Sequence, residues 1–332
     1  MIITKTPYRV SLFGGGSDHP AWYSEYGEGK VLSFAIDKYC YLNARPLPPF
    51  FNHSFRLAYS KIELVDSVDQ IVHPAFRETI RKYGRTWDGL EIHHHGDLPA
   101  QSGVGSSSSF VVGLINALQA MNGISMSPQS LAERAIEMEH QILRENVGSQ
   151  DQVAAAFGGF NRISFTSDNA FNIKSYNAAT DAILEIESRC LLIFSGISRF
   201  SSNISAGLLS GLSNSTEYMN RNIEMVSEAE HIIQSNGDLN DIGSMLNENW
   251  NLKKALNKDA SNTLLDEIYT ESLASGALGG KLLGAGGGGF FLFWLKDGVS
   301  KKEFVSKLRN VVGVPFKIEA NGSQIIYDSQ EH

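Results

Sequence analysis

The chain has 332 residues, of which 42% are hydrophobic, and carries a net charge of -8. This length favours two domains or one large one, with enough apolar residues for a core that needs no covalent staples. The composition excludes disorder and collagen, and the acidic balance argues against a nucleic-acid binder held by bulk charge. We therefore expect a globular protein whose partners do not include nucleic acid.

The cysteine content and the apolar runs bear on the compartment. Cys40 and Cys190 are too few for a disulfide framework and lie in apolar stretches, so we expect two buried, reduced thiols. The N-terminus lacks a long apolar run of the signal-peptide kind. The longest apolar runs have strand length, far below the ~20 residues that span a bilayer. These features predict a soluble, cytoplasmic protein without a membrane partner.

The first half of the chain alternates strand and helix patterns. Runs of β-branched and aromatic residues predict strands, and apolar residues at a spacing of three and four predict helices. The predicted strands are 8–13, 31–44, one strand or a pair over 55–65, and 90–95. The predicted helices are 74–83, 106–121, one that opens at Ser127-Pro128 and continues over 131–144, and 150–157.

The second half is mostly helical before it ends in a glycine run and further strands. The predicted order is a strand over 183–194, helices at 202–209, 215–235, 238–256 and 262–275, a strand over 290–295, a helix over 301–311 and a strand over 315–320. No sharp linker divides the chain. A break in the pattern near residue 180 predicts two domains, 1–180 and 181–332.

Three tracts of small residues stand next to strong strands or helices, namely 14–18, 103–109 and 284–289. The middle tract, Gly103 to Ser109, leads directly into an amphipathic helix, which places free N–H groups and the positive helix end around Gly105 to Ser108. Such a terminus is a ready phosphate site, and serine hydroxyls there can ligate Mg²⁺. On local physics alone, a helix cap with small neighbours remains an equal alternative.

Two known phosphate-binding loops do not fit the sequence. A Walker A loop needs Gly-Lys followed by Ser or Thr, but Gly280-Lys281 is followed by Leu282. The third tract matches G-x-G-x-x-G, yet a strand rather than a helix follows it. The sequence context therefore disfavours a dinucleotide-binding site at this tract, and with it the hypothesis of an oxidoreductase.

Two carboxylates could serve phosphoryl transfer. Glu139 lies in the predicted helix 131–144, and Asp151 starts the short helix after a Gly-Ser pair. Phosphoryl transfer uses one carboxylate for Mg²⁺ and another to accept the proton of the attacking hydroxyl. Arg9, on the strand before the first tract, could face the phosphates. By spacing alone, a solvated helical Glu remains the simpler reading of Glu139.

Four segments in this order resemble motifs of the GHMP kinase superfamily. They are 6–18 (TPYRVSLFGGGSD), 98–109 (LPAQSGVGSSSS), Glu139 with 148–152 (GSQDQ), and 281–290 (KLLGAGGGGF). The resemblance spans almost the whole chain. It implies an α+β fold, with an N-terminal domain like domain 2 of ribosomal protein S5 and a ferredoxin-like C-terminal domain.

The resemblance also implies roles for particular residues. The ATP phosphates would be cradled by Gly103, Val104, Gly105, Ser106, Ser107, Ser108 and Ser109. Mg²⁺ would be held by Glu139 and Ser107. Asp151 would orient or deprotonate the acceptor hydroxyl, and Arg9 would stabilise charge beside it. Gly16, Ser17 and Asp18 of the first motif, and Gly287 of the third, would bind the substrate.

The first motif narrows the substrate class. Phe13-Gly-Gly-Gly-Ser-Asp18 is similar to sugar C1 kinases that include heptose 7-phosphate kinases and fucokinase domains, and it lacks the Glu-His-Thr-Asp of galactokinase. The resemblance implies a kinase for the anomeric hydroxyl of a heptose 7-phosphate, on a route to surface polysaccharide. Another sugar C1 kinase such as fucokinase, and a non-catalytic sugar-binding homologue, remain alternatives. We expect a monomer or a homodimer.

A sugar phosphate would need cations at its far end. The candidates are Lys30, Arg45, Arg189, Arg199 and Lys281. The sequence does not choose among them, and Arg199, in a loop after a predicted strand, is slightly preferred.

Overall fold

The computed structural model describes residues 1–84, 89–168, 170–177, 180–197, 212–235 and 237–329, with the backbone alone for 212–215. Arg199 and the predicted helix 202–209 lie outside these residues. The strands are β1 (Ile2–Phe13), β2 (Glu28–Pro46), β3 (Phe55–Ala58), β4 (Ile62–Val65), β5 (Leu90–Gly96), β6 (Phe160–Thr166), β7 (Phe171–Tyr176), β8 (Cys190–Phe194), β9 (Ala277–Leu282), β10 (Phe290–Leu295), β11 (Val312–Val314) and β12 (Gln324–Asp328). The α-helices are α1 (Pro20–Tyr26), α2 (Pro74–Tyr83), α3 (Ser106–Met121), α4 (Pro128–Glu137), α5 (Gln150–Phe157), α6 (Asp181–Arg189), α7 (Leu212–Ser235), α8 (Asn240–Leu256), α9 (Thr263–Ser275) and α10 (Lys301–Lys307).

The first sheet has eight strands and carries most of the N-terminal half. Its order is β12-β1-β2-β5-β3-β4, with β6 on β2 and β7 on β6. The 19-residue β2 pairs with β1 along one edge and with two strands along the other, since its first half pairs with β6 and its second half with β5. Helix α3 lies close against β1 at Gly113, where a Cβ would stand 2.8 Å from Thr6 Oγ1. The sheet and this helix together fix the start of α3 beside the end of β1.

The second sheet is antiparallel, in the order β11-β8-β10-β9. Its central strand β10 is buried on both faces. Phe290, Leu292 and Trp294 pack into one core cluster, whereas Phe291, Phe293 and Leu295 pack into the other. This division follows from the alternation of side chains along a strand. The strand β12 returns to the first sheet and pairs with β1.

Most predicted helices and strands are present, but two predictions were wrong. The segment 183–194 begins as helix α6 and becomes strand only from Cys190, because Ala182, Ile183 and Ile186 are buried at helical spacing. The segment 315–320 makes a single bridge through Ile318, and the last strand is β12. Glu139 lies beyond the end of α4, in a π-helical turn over Met138–Ile142.

The sequence reading also missed β6, β7 and β9. Strand β9 carries Gly279 and Gly280, which ordinarily weaken a strand. A Cβ at Gly279 would lie 2.0 Å from the carbonyl oxygen of Gly243 on α8, so the close helix requires glycine there.

None of the described helices is both long and apolar enough to cross a membrane. The division into domains 1–180 and 181–332 stays a prediction.

Candidate active site

The three small-residue tracts meet around one cavity of about 260 Å³. The third tract, which joins β9 to β10, lies directly against the second. A Cβ on Gly103 would stand 2.6 Å from the carbonyl oxygen of Leu283, and one on Gly284 would stand 2.7 Å from the Cα of Gly103. The amide of Phe290 donates to the carbonyl of Ser102 at 3.0 Å. The glycines are therefore required for the close packing of two loops that form the cavity wall.

The start of α3 opens onto this cavity. Gly105 is its N-cap with φ 74°, a left-handed conformation that suits glycine, and no side chain caps the first turn. The first amides of a helix have no partner within the helix, and the helix end is partly positive. Ser106, Ser107 and Ser108 all line the cavity. This terminus can accept an anionic group such as a phosphate.

Arg9 and Asp151 form a paired charge at the cavity wall. Arg9 Nε donates to Asp151 Oδ1 at 2.6 Å, and Nη2 donates to Oδ2 at 2.8 Å. The remaining Arg9 Nη1 donates to the carbonyl of Gly103. Such a bidentate pair fixes the plane of the carboxylate. Because Arg9 also donates to Gly103 of the middle tract, it ties the orientation of Asp151 to that tract.

Glu139 is fully buried in the π-helical turn, a local geometry that is frequent at functional sites. Its Oε2 accepts from Ser108 Oγ at 3.0 Å and from the Gln152 amide, while Oε1 has no partner among the described residues. Burial, and then the charges of Glu145 and Asp151, raise the pKa of Glu139 to about 8. A carboxylate held in this way is suited to a cation.

The serines of the middle tract divide by direction. Ser108 contacts Glu139, whereas Ser107, the predicted Mg²⁺ ligand, is exposed at the cavity. Ser106 Oγ accepts from the amide of Gln101, and Ser109 Oγ donates to the carbonyl of Pro7. Successive residues of a helix point about 100° apart, so neighbouring serines face different partners. That direction depends on where the helix begins.

Asp18 lines the cavity next to the start of α5. Its Oδ1 accepts from the Gly16 amide at 2.8 Å and its Oδ2 from the Gln150 amide at 3.1 Å. Gly148 leaves room for it, since a Cβ there would stand 1.9 Å from Asp18 Oδ2. Burial, and then the charge of Asp151, raise the pKa of Asp18.

Two predicted substrate residues do not line the cavity in the described part of the chain. Ser17 is fully buried, and its hydroxyl donates to the carbonyls of Gly14 and Lys30, so it holds the first turn in shape. Gly287 donates its amide to the carbonyl of Ala260 and stands behind the wall that Gly286 and Gly288 form. Gly16 and Asp18 do line the cavity.

The predicted distal cations lie in different surroundings. Lys30 pairs with Glu28 at 3.0 Å, Arg45 pairs with Glu91 at 2.6 Å, and Arg189 donates to Asn240 at 2.6 Å. Of the four candidates that the structure describes, Lys281 lines the cavity, and its Nζ donates to the carbonyl of Leu12 at 2.8 Å. Burial lowers its pKa well below the ordinary value.

Sequence reasoning missed the contribution of α7 and α8. Asn222 of α7 accepts from the Gly14 amide at 2.8 Å and donates to the Gly15 carbonyl at 2.9 Å, which fixes the first turn. Met219 covers Gly16, where a Cβ would stand 2.6 Å from the methionine methyl group. Lys253 of α8 donates to the Gly284 carbonyl at 2.6 Å. Only the register of the two predicted helices could have indicated these contacts.

The buried Lys253 predicts a pH dependence of stability. Burial, and then the nearby Arg9, lower its pKa from 10.5 to about 7. Between these values the unfolded chain holds a proton that the folded chain has lost, so the free energy of unfolding rises with pH. Lys253→Met removes this contribution. Between pH 7 and pH 9, the free energy of unfolding of wild type should therefore rise by about 2 kcal/mol more than that of the variant.

Urea unfolding at both pH values measures this gain. Lys254→Met, which changes the next and more exposed lysine, is the matched control and should show no such trend. A difference between wild type and Lys253→Met that stays constant with pH would contradict the assignment.

The site thus combines a helix N-terminus open to an anion, an oriented aspartate and a buried glutamate around one cavity. This combination is characteristic of enzymes that transfer a phosphoryl group to a small molecule. The family model "GHMP kinases N terminal domain" matches residues 70–159, and the model "GHMP kinases C terminal" matches residues 225–313. The chain belongs to the GHMP kinase family, whose members use ATP as phosphate donor.

Individual relatives agree with this assignment. The chain is 29% identical to a D-glycero-alpha-D-manno-heptose 7-phosphate kinase of Campylobacter jejuni, with 94% of each chain covered. It is 25% identical to a bifunctional fucokinase/GDP-fucose pyrophosphorylase of Arabidopsis thaliana, over 91% of this chain but 30% of that protein. A crystal structure of a D-glycero-D-manno-heptose 1-phosphate kinase from Bacteroides thetaiotaomicron superposes with a TM-score of 0.78 at 24% identity, covering 99% of this chain and all of the other.

Proposed function

We propose that the protein is an ATP-dependent sugar kinase that phosphorylates the anomeric C1 hydroxyl of D-glycero-D-manno-heptose 7-phosphate. The product is the 1,7-bisphosphate, a precursor of nucleotide-activated heptose for surface polysaccharide. The observation that carries the proposal is the Asp151 carboxylate, oriented by Arg9 in the same cavity as the start of α3. A hydroxyl acceptor next to Asp151 and a phosphate at the helix start would then be neighbours.

The middle tract and the start of α3 can bind the phosphates of the donor ATP. The loop from Gly103 and the first turn of α3, through Ser108, offer backbone N–H groups that bind phosphate oxygens without any side-chain reorganisation, whereas the Ser109 amide already donates to the Gly105 carbonyl. Lys253 and Lys281 also line the cavity, with their side-chain nitrogens on backbone carbonyls. The backbone N–H groups and the positive helix end supply local positive potential against the net charge of -8, which by itself would repel an anionic substrate.

The residues present fit a bound Mg²⁺. The cation prefers oxygen ligands, and the buried Glu139 Oε1 is an oxygen without a partner in the described chain, next to the Ser108 hydroxyl. Glu139 would hold the ion together with one serine of the middle tract. Ser108 is favoured by its contact with Glu139, and Ser107 by the family resemblance. When bound, the ion would neutralise charge on the phosphates.

Asp151 and Asp18 act on the acceptor. Asp151 accepts a hydrogen bond from the acceptor hydroxyl and takes its proton as the oxygen attacks. Arg9 holds the Asp151 carboxylate in one plane at the cavity wall. Asp18, held by the amides of Gly16 and Gln150, binds sugar hydroxyls beside it. The Campylobacter jejuni relative supports a heptose 7-phosphate, and the fucokinase relative keeps a free hexose as the second candidate.

A coupled assay of ADP release over free and phosphorylated heptoses and hexoses tests the substrate. We expect the highest kcat/KM with heptose 7-phosphate. A strong preference for a free sugar would overturn the 7-phosphate, and L-fucose as best substrate would establish the second candidate. No turnover with any sugar would favour a non-catalytic, sugar-binding homologue.

Glu139→Gln tests the metal assignment. The amide keeps the size of the side chain and can still meet Ser108, but it lacks the charge that a divalent cation requires. We expect the Mg²⁺ concentration for half-maximal activity to rise about tenfold or more. A tenfold rise corresponds to a loss of about 1.4 kcal/mol of binding free energy. Activity titrated with Mg²⁺ at saturating sugar gives the measurement, with Glu137→Gln on α4 as the control. An unchanged Mg²⁺ dependence would count against Glu139.

A further inference from the structure

Two polar side chains in the cavity have no role in the mechanism above. Ser11, near the end of β1, and Gln150, the first residue of α5, both line the cavity and are each 7% exposed. Neither Ser11 Oγ nor Gln150 Oε1 has a hydrogen-bond partner among the described residues. A buried polar atom without a partner is costly, because it has lost its water and gained nothing.

Both side chains border the space above Gly15. A Cβ at Gly15 would stand 3.6 Å from Gln150 Nε2 and 3.7 Å from Ser11 Oγ, so the missing side chain leaves a gap between the two polar groups. The β1–β2 register shifts directly after Ser11. Such irregularities re-aim side chains and are frequent next to active sites.

The backbone holds Gln150 in place independently of its side chain. Its amide N–H donates to Asp18 Oδ2, and Gly148 is pressed against the same carboxylate. Its side chain is therefore free to serve a ligand, and a substitution there leaves the Asp18 contact intact. Gln150 and Asp151 line the same cavity, so the Gln150 side chain shares that space with the group that meets the acceptor hydroxyl.

We propose that Ser11 and Gln150 form a subsite for the hydroxyl on the carbon next to the phosphoryl acceptor. An amide can donate and accept, and a serine hydroxyl can do both, so together they can satisfy a secondary alcohol in full. This subsite rests on the proposed function, since it takes its position from the sugar that Asp151 activates. It makes the enzyme select a vicinal diol at C1 and C2 of the sugar over a 2-deoxy sugar.

The test compares two substrates in each variant. The ratio of kcat/KM for the best sugar of the panel to kcat/KM for its 2-deoxy analogue is measured in wild type, Gln150→Met and Ser11→Ala. Loss of a hydroxyl that a site is built to bind is strongly discriminated. We expect wild type to prefer the parent sugar about 100-fold, Gln150→Met to reduce this ratio about 30-fold, and Ser11→Ala to reduce it about fivefold. Gln129→Met, on the exposed part of α4, should leave the ratio unchanged.

Several outcomes would overturn the subsite. A wild-type enzyme indifferent to the 2-deoxy change, or an equal loss on both sugars in Gln150→Met, would each do so. If Gln150→Met fails to fold, Ser11→Ala decides alone, and an unchanged ratio overturns the proposal. If the panel selects a sugar other than heptose 7-phosphate, the proposed substrate is wrong, yet the ratio for that sugar still decides the subsite. If no sugar is a substrate, both proposals are wrong.

Discussion

Replacing Asp151 with Asn should lower kcat about 10³-fold, within the range of a lost general base. The amide keeps the shape of the side chain but cannot take the proton of the acceptor hydroxyl, and it cannot pair with both Arg9 donors. Binding of ATP should stay nearly intact, because the phosphates are met by the start of α3. Steady-state ADP release gives kcat, and calorimetric titration with a non-hydrolysable ATP analogue gives the affinity.

A surface aspartate provides the control for this change. Asp241→Asn lies in the exposed first turn of α8 and should keep wild-type kcat. Normal turnover in Asp151→Asn would refute its assignment as the base. A parallel loss of ATP affinity would instead indicate that the carboxylate acts by shaping the phosphate loop.

Arg9→Lys should lower kcat about 100-fold with a small change in the KM for ATP. Lysine keeps the positive charge, yet it cannot donate to both oxygens of Asp151 and to the Gly103 carbonyl at once. The carboxylate then loses its fixed plane, and a small misplacement of a reacting group is costly in rate. The measurement is the split between kcat and KM in the same ADP-release assay.

A double variant separates orientation from charge. If Arg9 acts through Asp151, Arg9→Lys combined with Asp151→Asn should lose about as much kcat as Asp151→Asn alone. Arg221→Lys is a matched control, because Arg221 also pairs with both oxygens of a carboxylate, that of Glu248 on α8, but does not line the cavity. Fully additive losses at Arg9 and Asp151 would mean that Arg9 acts on the phosphates by itself.

Local sequence patterns determined many of the secondary elements. The helix 74–83 and the helix 106–121 begin and end where their spacing and caps predict, because these signals act within a turn or two. The strand β10 is as apolar as its position between two core clusters requires. By contrast, 183–194 joins a mixed polar and apolar helical part to an apolar strand from Cys190, and each part is too short for its spacing to separate a helix from a strand.

The sequence by itself determined which segments form the site, since its three small-residue tracts and the residues Arg9, Asp18, Glu139 and Asp151 meet around one cavity. Only the tertiary structure decided which atoms face one another. It turned Ser108 toward Glu139, buried Ser17, and brought Lys253 and Asn222 from α8 and α7 to the glycine turns. The reason is physical, because these contacts join residues from 13 to 208 positions apart. Helix direction and register set such contacts, and no local period encodes them.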